Sequence, residues 1–304
     1  MKVLVTGGAG FIGSWVTRTL LAENHEVTVV DNLSKGFREL VPEGVRFIEG
    51  DLHDEKLPEW LRGHDAVIHM AAFIEVGRSV QEPVDFAENN IVNGVRLLEA
   101  MHRADVGKIV FSSSATVYGV PQRLPIREDD PQGAQNNPYG ATKVSLEAFV
   151  TTYNQLYGMD ALIMRYFNPY GPNEMHEPET HAIPNFIKAV IANQRIPLFW
   201  GGEQVRDYFY VEDLARAHTA VLPLSGLQVF NVGSDTGHKT IDVVRELMSI
   251  AGSEVPIEDL GERAGDVPAN YASSEKLRTA TGWRAEVTLR EGLERTYEWF
   301  RARA

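Results

Sequence analysis

The sequence predicts an α/β fold in which a doubly wound parallel sheet is followed by a smaller C-terminal α/β domain. Short β-branched runs alternate with helical patterns over the first half of the chain, and this alternation is typical of a parallel sheet with helices on both faces. After about residue 166 the pattern is less regular. We therefore expect residues 1–166 to form the sheet domain, with 205–232 returning to it, and residues 167–304 to form the smaller domain.

Composition excludes several classes of function. The chain has 304 residues, 43% of them hydrophobic, a net charge of −13 and no cysteine. Disulfides, thiol nucleophiles and cysteine metal sites are therefore ruled out. Nucleic acid and anionic membranes are not expected as partners, because both attract basic surfaces. Apolar runs are too short for a membrane helix or a signal peptide, so we expect a cytoplasmic protein.

The first strand–helix–strand segment, residues 2–31, predicts a Rossmann-type dinucleotide site. A β-branched strand, Lys2 to Thr6, runs directly into a turn with Gly7, Gly10 and Gly13, and a helical pattern follows to about residue 24. A second strand, 25–31, ends at Asp31. Glycines in this context let the backbone approach a pyrophosphate, and an acidic residue about twenty positions on can accept from a ribose 2′-hydroxyl. A 2′-phosphate would be repelled there, so NAD is favoured over NADP.

Polar residues follow the next predicted strands. The strand 45–52 ends in the pair Asp51–Leu52, where the Asp51 carboxylate could accept from the adenine amine, and the strand 66–72 enters a loop of small residues. After a helix at 86–103, the strand 108–111 opens into Ser112, Ser113 and Ser114. A serine-rich turn is common, but doubly wound sheets bind ligands at this edge.

Tyr139 and Lys143 stand four residues apart in a predicted helix, so their side chains share one face. A nearby ammonium favours the phenolate, which could then act as a general base. Taken alone, the pair is a weak signal, because a tyrosine and a lysine at this spacing are usually a packing aromatic and a solvated cation.

The second half continues with a strand at 161–166, a helix at 183–193 and a strand at 205–213 that runs into a helix at 214–221. A strand at 229–233 and helices at 240–251 and 291–301 follow. Arg206 and Arg263 are candidate diphosphate ligands, because guanidinium forks match phosphate oxygens. A surface ion pair is an equally good interpretation of either arginine. No metal site is expected, since the polar loop 173–181 lacks regular ligand spacing.

Assembled, these motifs resemble those of the extended short-chain dehydrogenases/reductases, and within them the NAD-dependent nucleotide-sugar epimerases similar to UDP-glucose 4-epimerase. The resemblance covers nearly the whole chain and rests on GGAGFIGS (7–14), DNLSKG (31–36), GDL (50–52), HMAA (69–72), SSSATVYG (112–119), PYGATK (138–143), RYFNPYGP (165–172), VRDYFYVEDLA (205–215) and RAGDVP (263–268).

The resemblance implies site residues at matching positions. Tyr139 would be the catalytic base, Lys143 its partner and Ser114 the bridging hydroxyl. The cofactor-binding positions would be Gly7, Gly10, Phe11, Ile12, Gly13, Asp31, Asn32, Leu33, Ser34, Gly36, Asp51, Leu52, Met70, Ala71, Ala72, Asn90, Ser112, Tyr139, Lys143 and Tyr166. The substrate-binding positions would be Ser114, Ala115, Thr116, Tyr139, Asn168, Asn185, Arg206, Arg263, Asp266 and Asn270.

The reaction implied is a transient oxidation at the sugar C4, in which Tyr139 takes the hydroxyl proton while a hydride passes to bound NAD and later returns to the opposite face. The substrate would be a UDP-hexose. An epimerase of UDP-glucuronate, a sugar 4,6-dehydratase and a non-catalytic NAD-binding protein are the alternatives. Ala115 and Thr116 oppose a dehydratase, because neither can act as a general acid at neutral pH, and the intact catalytic set opposes a pure binder.

Two finer expectations also come from the resemblance. Some relatives have a bulky tyrosine where this chain has Asn270, so N-acetylhexosamine substrates could also fit, unless a shift in register puts Tyr271 there instead. The helices at 86–103 and 140–157 carry apolar residues on more than one face, and in this family such a pair forms a dimer interface. We therefore expect a homodimer.

Overall fold

The computed structural model describes residues 1–175, 181–262 and 267–304. Its first half contains β1 (Lys2–Thr6), α1 (Phe11–Ala22), β2 (Glu26–Asp31), β3 (Arg46–Glu49), α2 (Leu57–Leu61), β4 (Ala66–His69), α3 (Val76–Gln81), α4 (Pro83–Phe86), α5 (Asn93–Arg103), β5 (Lys108–Ser114), α6 (Pro138–Tyr157) and β6 (Asp160–Tyr166). Its second half contains β7 (Asn168–Tyr170), α7 (Ala182–Ile191), β8 (Ile196–Leu198), β9 (Val205–Arg206), β10 (Tyr208–Tyr210), α8 (Val211–Val221), β11 (Leu227–Val232), β12 (His238–Lys239), α9 (Thr240–Ala251), β13 (Ile257–Asp259), β14 (Ala269–Asn270), α10 (Glu275–Thr281) and α11 (Leu289–Arg301).

The predicted parallel sheet is confirmed. Seven strands lie in the order β11–β6–β5–β4–β1–β2–β3, and each neighbouring pair is parallel. The order reverses direction between β1 and β4, which is the topological switch point where such sheets bind ligands. The carboxyl ends of the central strands therefore meet at one edge.

Both faces of the sheet are covered, which explains why its strands are continuous apolar runs. On one face α1 and α8 contribute Leu20 and Leu214 to a buried cluster with Val5. On the other face α5 and α6 contribute Leu97 and Val150. This double cover fixes α6, and with it Tyr139 and Lys143, against the sheet.

The C-terminal part builds small sheets around its own core. β10 pairs with β7, β9 lies between β12 and β14, and β13 pairs with β8. Buried side chains from α7, α9 and α11, among them Ile187, Leu247 and Leu293, form a separate cluster. β11 joins the large sheet beside β6 instead. No helix within the described ranges is both long and apolar enough to cross a bilayer.

Two predicted elements were wrong. The predicted strand 205–213 is two short strands, β9 and β10, and α8 already begins at Val211. The break occurs at Asp207, whose buried carboxylate binds other segments and interrupts the ladder. The predicted helix 86–103 is also interrupted, because the six residues Ala87–Val92 form a π-helical segment between α4 and α5.

Candidate active site

A large cavity opens at the carboxyl ends of the central strands, and both halves of the chain line it. Its volume is about 1740 Å³, whereas a pocket for one small ligand typically measures about 300–1,000 Å³. The cavity is therefore large enough for a dinucleotide and a second ligand. Among the described residues predicted for the site, all but Leu33 and Asn90 line it.

The glycine turn has the geometry of a phosphate cradle. Gly7 has φ +72°, a conformation that side chains rarely adopt, and a Cβ on Gly13 would lie 2.1 Å from the Gly7 carbonyl oxygen. α1 begins at Phe11 after Gly10, which has no side chain to cap the helix. The N–H groups of its first turn remain available to an anion. These residues fit the pyrophosphate of a dinucleotide.

Asp31 ends β2 at the cavity wall. Its carboxylate accepts from the Ala9 N–H at 3.0 Å and from the Leu33 N–H at 2.8 Å. Burial raises its pKa, although these two hydrogen bonds oppose the shift. A carboxylate has about four lone-pair sites, so Asp31 can still accept from a ribose hydroxyl. Leu33 supports Asp31 through its backbone and does not line the cavity.

Tyr139, Lys143 and Ser114 meet at the base of the cavity. Asn137 caps α6 by accepting from the Gly140 N–H at 2.8 Å, which places Tyr139 in the first turn of the helix. The Tyr139 hydroxyl is hydrogen-bonded to Ser114. The Lys143 ammonium donates to the Ser112 carbonyl oxygen at 2.8 Å and lies 5.8 Å from the centre of the Tyr139 ring.

Burial dominates the ionisation of this cluster. It raises the pKa of Tyr139 to about 12, although the Ser114 hydrogen bond lowers it in part. Burial also lowers the pKa of Lys143 to about 8, opposed by the negative charge of Glu147. The expected assistance from Lys143 is therefore not enough to ionise Tyr139 in the protein alone. The site holds a neutral phenol that needs further positive charge to act as a base.

A hydrogen-bonded chain lies behind Ser112. Tyr166, on β6, is hydrogen-bonded to the Ser112 hydroxyl at 2.7 Å and to Nε2 of His218. Nδ1 of His218 lies 2.9 Å from the Leu214 carbonyl oxygen. A carbonyl can only accept, so Nδ1 carries the proton and Nε2 is left as an acceptor. Burial lowers the pKa of His218 to about 4, which keeps the ring neutral. Sequence reasoning missed His218.

A buried ion pair anchors α6 beneath Tyr139 and Lys143. The guanidinium of Arg165 donates to both carboxylate oxygens of Glu147, at 2.9 and 2.7 Å. Ser113 also donates to Glu147, at 2.5 Å. Glu147 lies one turn beyond Lys143 and two beyond Tyr139, so helical spacing could have revealed it. Helix and sheet are thereby held in register at the site.

The substrate side of the cavity is built on β9 and β14. Arg206 and Asn270 are paired across these two strands, and Asn168 and Asn185 also line the cavity. The buried side-chain oxygens without a hydrogen-bond partner include those of Thr116, Asn270 and Gln204, three cavity-lining residues. Gln204 was not predicted from the sequence. Such groups are expected to pair with an ordered water or a ligand. Arg263 and Asp266, the remaining predicted ligands, lie outside the described residues.

One residue predicted to bind the cofactor, Asn90, makes its side-chain hydrogen bonds within the protein. The side-chain oxygen of Asn90 accepts from the Phe73 N–H, and its amide nitrogen donates to the Phe73 carbonyl and to Thr142. Asn90 therefore joins a loop to α6 and does not face the cavity, whereas Asn89 and Asn93 line it. Asn89 and Asn90 lie in the π-helical segment, whose wider turn changes which residues share a face relative to a regular helix.

Comparison with known proteins finds a matching family and full-length relatives. Residues 3–233 match the model of the NAD dependent epimerase/dehydratase family. A UDP-glucose 4-epimerase of Corynebacterium glutamicum is 40% identical over 305 residues, which cover 95% of this chain and 92% of that protein.

Solved structures agree over the full length. The UDP-glucose 4-epimerase of Thermus thermophilus in complex with NAD is 37% identical, with a TM-score of 0.92 and 100% of both chains covered. The UDP-N-acetylglucosamine 4-epimerase of Methanobrevibacter ruminantium in complex with UDP-N-acetylmuramic acid is 32% identical, with a TM-score of 0.95, and the match covers 100% of this chain and 99% of that one.

Proposed function

Because the chain belongs to the NAD-dependent epimerase/dehydratase family, we propose that it is an NAD-dependent epimerase that inverts C4 of UDP-hexoses such as UDP-glucose and UDP-galactose. The observation that carries this proposal is the cluster of Ser114, Tyr139 and Lys143, which opens into the same cavity as the glycine turn. The relatives named UDP-glucose 4-epimerase support the choice of substrate.

Each residue of the cluster has a distinct task in this reaction. Bound NAD supplies a hydride acceptor and donor for C4. Tyr139 takes the proton of the sugar 4-hydroxyl and gives it back, while Ser114 holds its hydroxyl in line by the hydrogen bond described above. Lys143, while protonated, contributes a positive charge that stabilises the phenolate. Gly7, Gly13 and Asp31 would hold the cofactor.

Elimination of water is disfavoured at this site. A 4,6-dehydratase needs an acid close to the bridging hydroxyl, and the next residues here are Ala115, which is buried, and Thr116. Neither can donate a proton readily at neutral pH. The phenol of Tyr139 is then the acid–base group, and a single group suits removal and return of one proton.

N-acetylhexosamines are proposed as further substrates. Asn270 lines the cavity and its side-chain oxygen has no partner, so it could accept a hydrogen bond from an acetamido N–H. Tyr271 is not among the lining residues. The epimerase of UDP-N-acetylglucosamine among the structural neighbours supports this range. The second candidate function is epimerisation of UDP-glucuronate, which is therefore included among the substrates to be tested.

A homodimer is proposed through the layer formed by α5 and α6. Exposed apolar side chains lie on or beside these helices: Val92, Phe149, Leu156 and Tyr157 are 43%, 40%, 66% and 48% exposed. Clustered exposed apolar surface of this kind typically marks a protein interface. The cytoplasmic location expected from the sequence stays a prediction, which cell fractionation would test.

The test is to incubate the purified protein with UDP-glucose, UDP-N-acetylglucosamine and UDP-glucuronate separately, and to identify the products by NMR. We expect the C4 epimer of the first two. Tyr139→Phe should abolish turnover while retaining bound NAD. Conversion of UDP-glucuronate alone would favour the second candidate, and unchanged activity of Tyr139→Phe would contradict the mechanism.

A further inference from the structure

The carboxylate of Asp207 joins three segments of the chain. The residue is fully buried between β9 and β10. One carboxylate oxygen accepts from the N–H and the hydroxyl of Ser234, at 2.7 and 2.6 Å, and the other accepts from the Ala272 N–H at 3.0 Å. Ser234 follows β11 and Ala272 follows β14. A Cβ on Gly233 would lie 2.3 Å from this carboxylate, so the close approach requires glycine there.

The joined segments carry the substrate wall of the cavity. Arg206 directly precedes Asp207, and Asn270 pairs with Arg206 across β9 and β14. The Asp207 carbonyl oxygen accepts from the Asn168 N–H at 3.0 Å. Asp207 itself does not line the cavity, because successive strand residues point to opposite sides. Arg206 and Asn270 thus lie on segments joined by the Asp207 carboxylate, and Asn168 is held by the Asp207 backbone carbonyl.

We propose that Asp207 is a positioning residue for the nucleotide sugar, which fixes Asn168, Arg206 and Asn270 relative to one another and so sets the KM without touching the substrate. This inference rests on the proposed function. It predicts that a change at Asp207 alters substrate affinity and leaves both the NAD site and the chemistry at Tyr139 intact.

The same geometry makes substrate binding sensitive to pH. Burial raises the pKa of Asp207 to about 6, opposed by its hydrogen bonds, and the negative charge of Asp235 raises it further. Asp235 is paired with Arg278 of α10 at 2.8 Å. Above pH 6 the carboxylate accepts from all three donors, whereas below pH 6 the protonated oxygen is a poor acceptor. The KM should therefore rise as the pH falls below 6.

The contribution of Asp207 to the free energy of unfolding changes with pH in the opposite direction. The pKa of Asp207 is higher in the folded chain than its ordinary value of 3.8, so its ionisation costs stability as the pH rises through this interval. Lowering the pH from 7 to 5 does not destabilise the fold through Asp207. An increase in KM between pH 7 and pH 5 therefore reports a loosened substrate wall and not unfolding caused by Asp207.

The decisive variant is Asp207→Asn in the NAD-loaded enzyme, with Asp213→Asn as its matched control. Asp213 is also fully buried and accepts from the backbone N–H groups of Glu286 and Val287, both at 3.1 Å, and from Arg216. Like Asp207 it does not line the cavity, but its partners and its chain neighbours do not line it either. For Asp207→Asn we expect the KM for UDP-glucose and the Kd for UDP to rise about tenfold, equivalent to about 1.4 kcal/mol. Its kcat and NAD content should match the wild type, and the pH dependence of KM below 6 should disappear.

Each outcome decides the inference. A KM for Asp207→Asn within twofold of the wild type, or an equal rise in Asp213→Asn, would overturn it while leaving the epimerase assignment standing. If Asp207→Asn does not fold, Ser234→Ala removes one hydrogen-bond donor to the carboxylate and should raise the KM by a smaller factor. The wild-type protein provides an independent test, because a KM that is constant from pH 5 to 7 would overturn the inference. A wild-type protein that neither binds UDP nor converts a UDP-sugar would overturn both proposals.

Discussion

Replacement of Lys143 by methionine tests the electrostatic part of the mechanism. The ammonium lies 5.8 Å from the centre of the Tyr139 ring, where, at an effective dielectric constant of about 20, a unit charge interacts by about 2.9 kcal/mol. Loss of this interaction raises the pKa of Tyr139 by about two units. Since the phenol is mostly protonated at pH 7, the phenolate fraction and kcat should fall about 100-fold.

The pH profile separates this effect from a general loss of structure. Burial lowers the pKa of Lys143 to about 8, so the wild-type protein loses the ammonium charge as the pH rises above 8. The ratio of wild-type to Lys143→Met activity should therefore be largest near pH 7 and shrink towards pH 9. The measurement is kcat with UDP-glucose from pH 6 to 9, normalised to the NAD content of each preparation.

Lys143→Arg is the control, because it keeps a positive charge that does not titrate in this range. It should retain more activity than the methionine variant and should not show the same convergence above pH 8. A ratio below threefold at pH 7, or one that is constant from pH 6 to 9, would refute the assignment of Lys143 as the charge that favours the phenolate.

Three further predictions concern stability, specificity and assembly. Glu147→Gln should lower the free energy of unfolding in urea by about 3–5 kcal/mol, because it leaves the Arg165 charge buried and unpaired. The double variant Glu147→Gln/Arg165→Met should recover part of this loss. Equal stability of Glu147→Gln and the wild type would contradict this prediction. Asn270→Tyr should reduce turnover of UDP-N-acetylglucosamine at least about tenfold relative to UDP-glucose, and an unchanged ratio would sink the specificity proposal. Leu156→Glu should yield a monomer in light scattering, whereas Leu21→Glu on α1 should not; a dimer in both would exclude the α5–α6 face.

Local patterns made much of the site predictable from sequence. The glycine turn and Asp31 lie within one strand–helix–strand unit, so their spacing alone fixed their common location at the end of the sheet. Tyr139, Lys143 and Glu147 share a helical face for the same reason, although only the first two were recognised. In each case the chemistry depends on residues that are close in the chain.

Contacts between residues that are far apart in the chain could not be predicted from the sequence. His218 lies 52 residues from Tyr166, and Asp207 meets Ala272 across 65 residues; no periodicity links either pair. The position of Asn90 away from the cavity wall was also not predictable from sequence, since a π-helical segment changes which residues share a face. Both cases arise where backbone and side-chain polar groups satisfy each other across segments.

The ionisation of Tyr139 and Lys143 shows that recognising a catalytic pair does not fix its charge state. Burial opposes both the phenolate and the ammonium, yet a phenolate and an ammonium side by side have no net charge and stabilise each other in a low dielectric. The two ionisations must therefore be coupled, so that each charge is retained only while the other is present. The base is then a property of the pair, and a positively charged cofactor in the adjoining cavity would shift it further towards the phenolate.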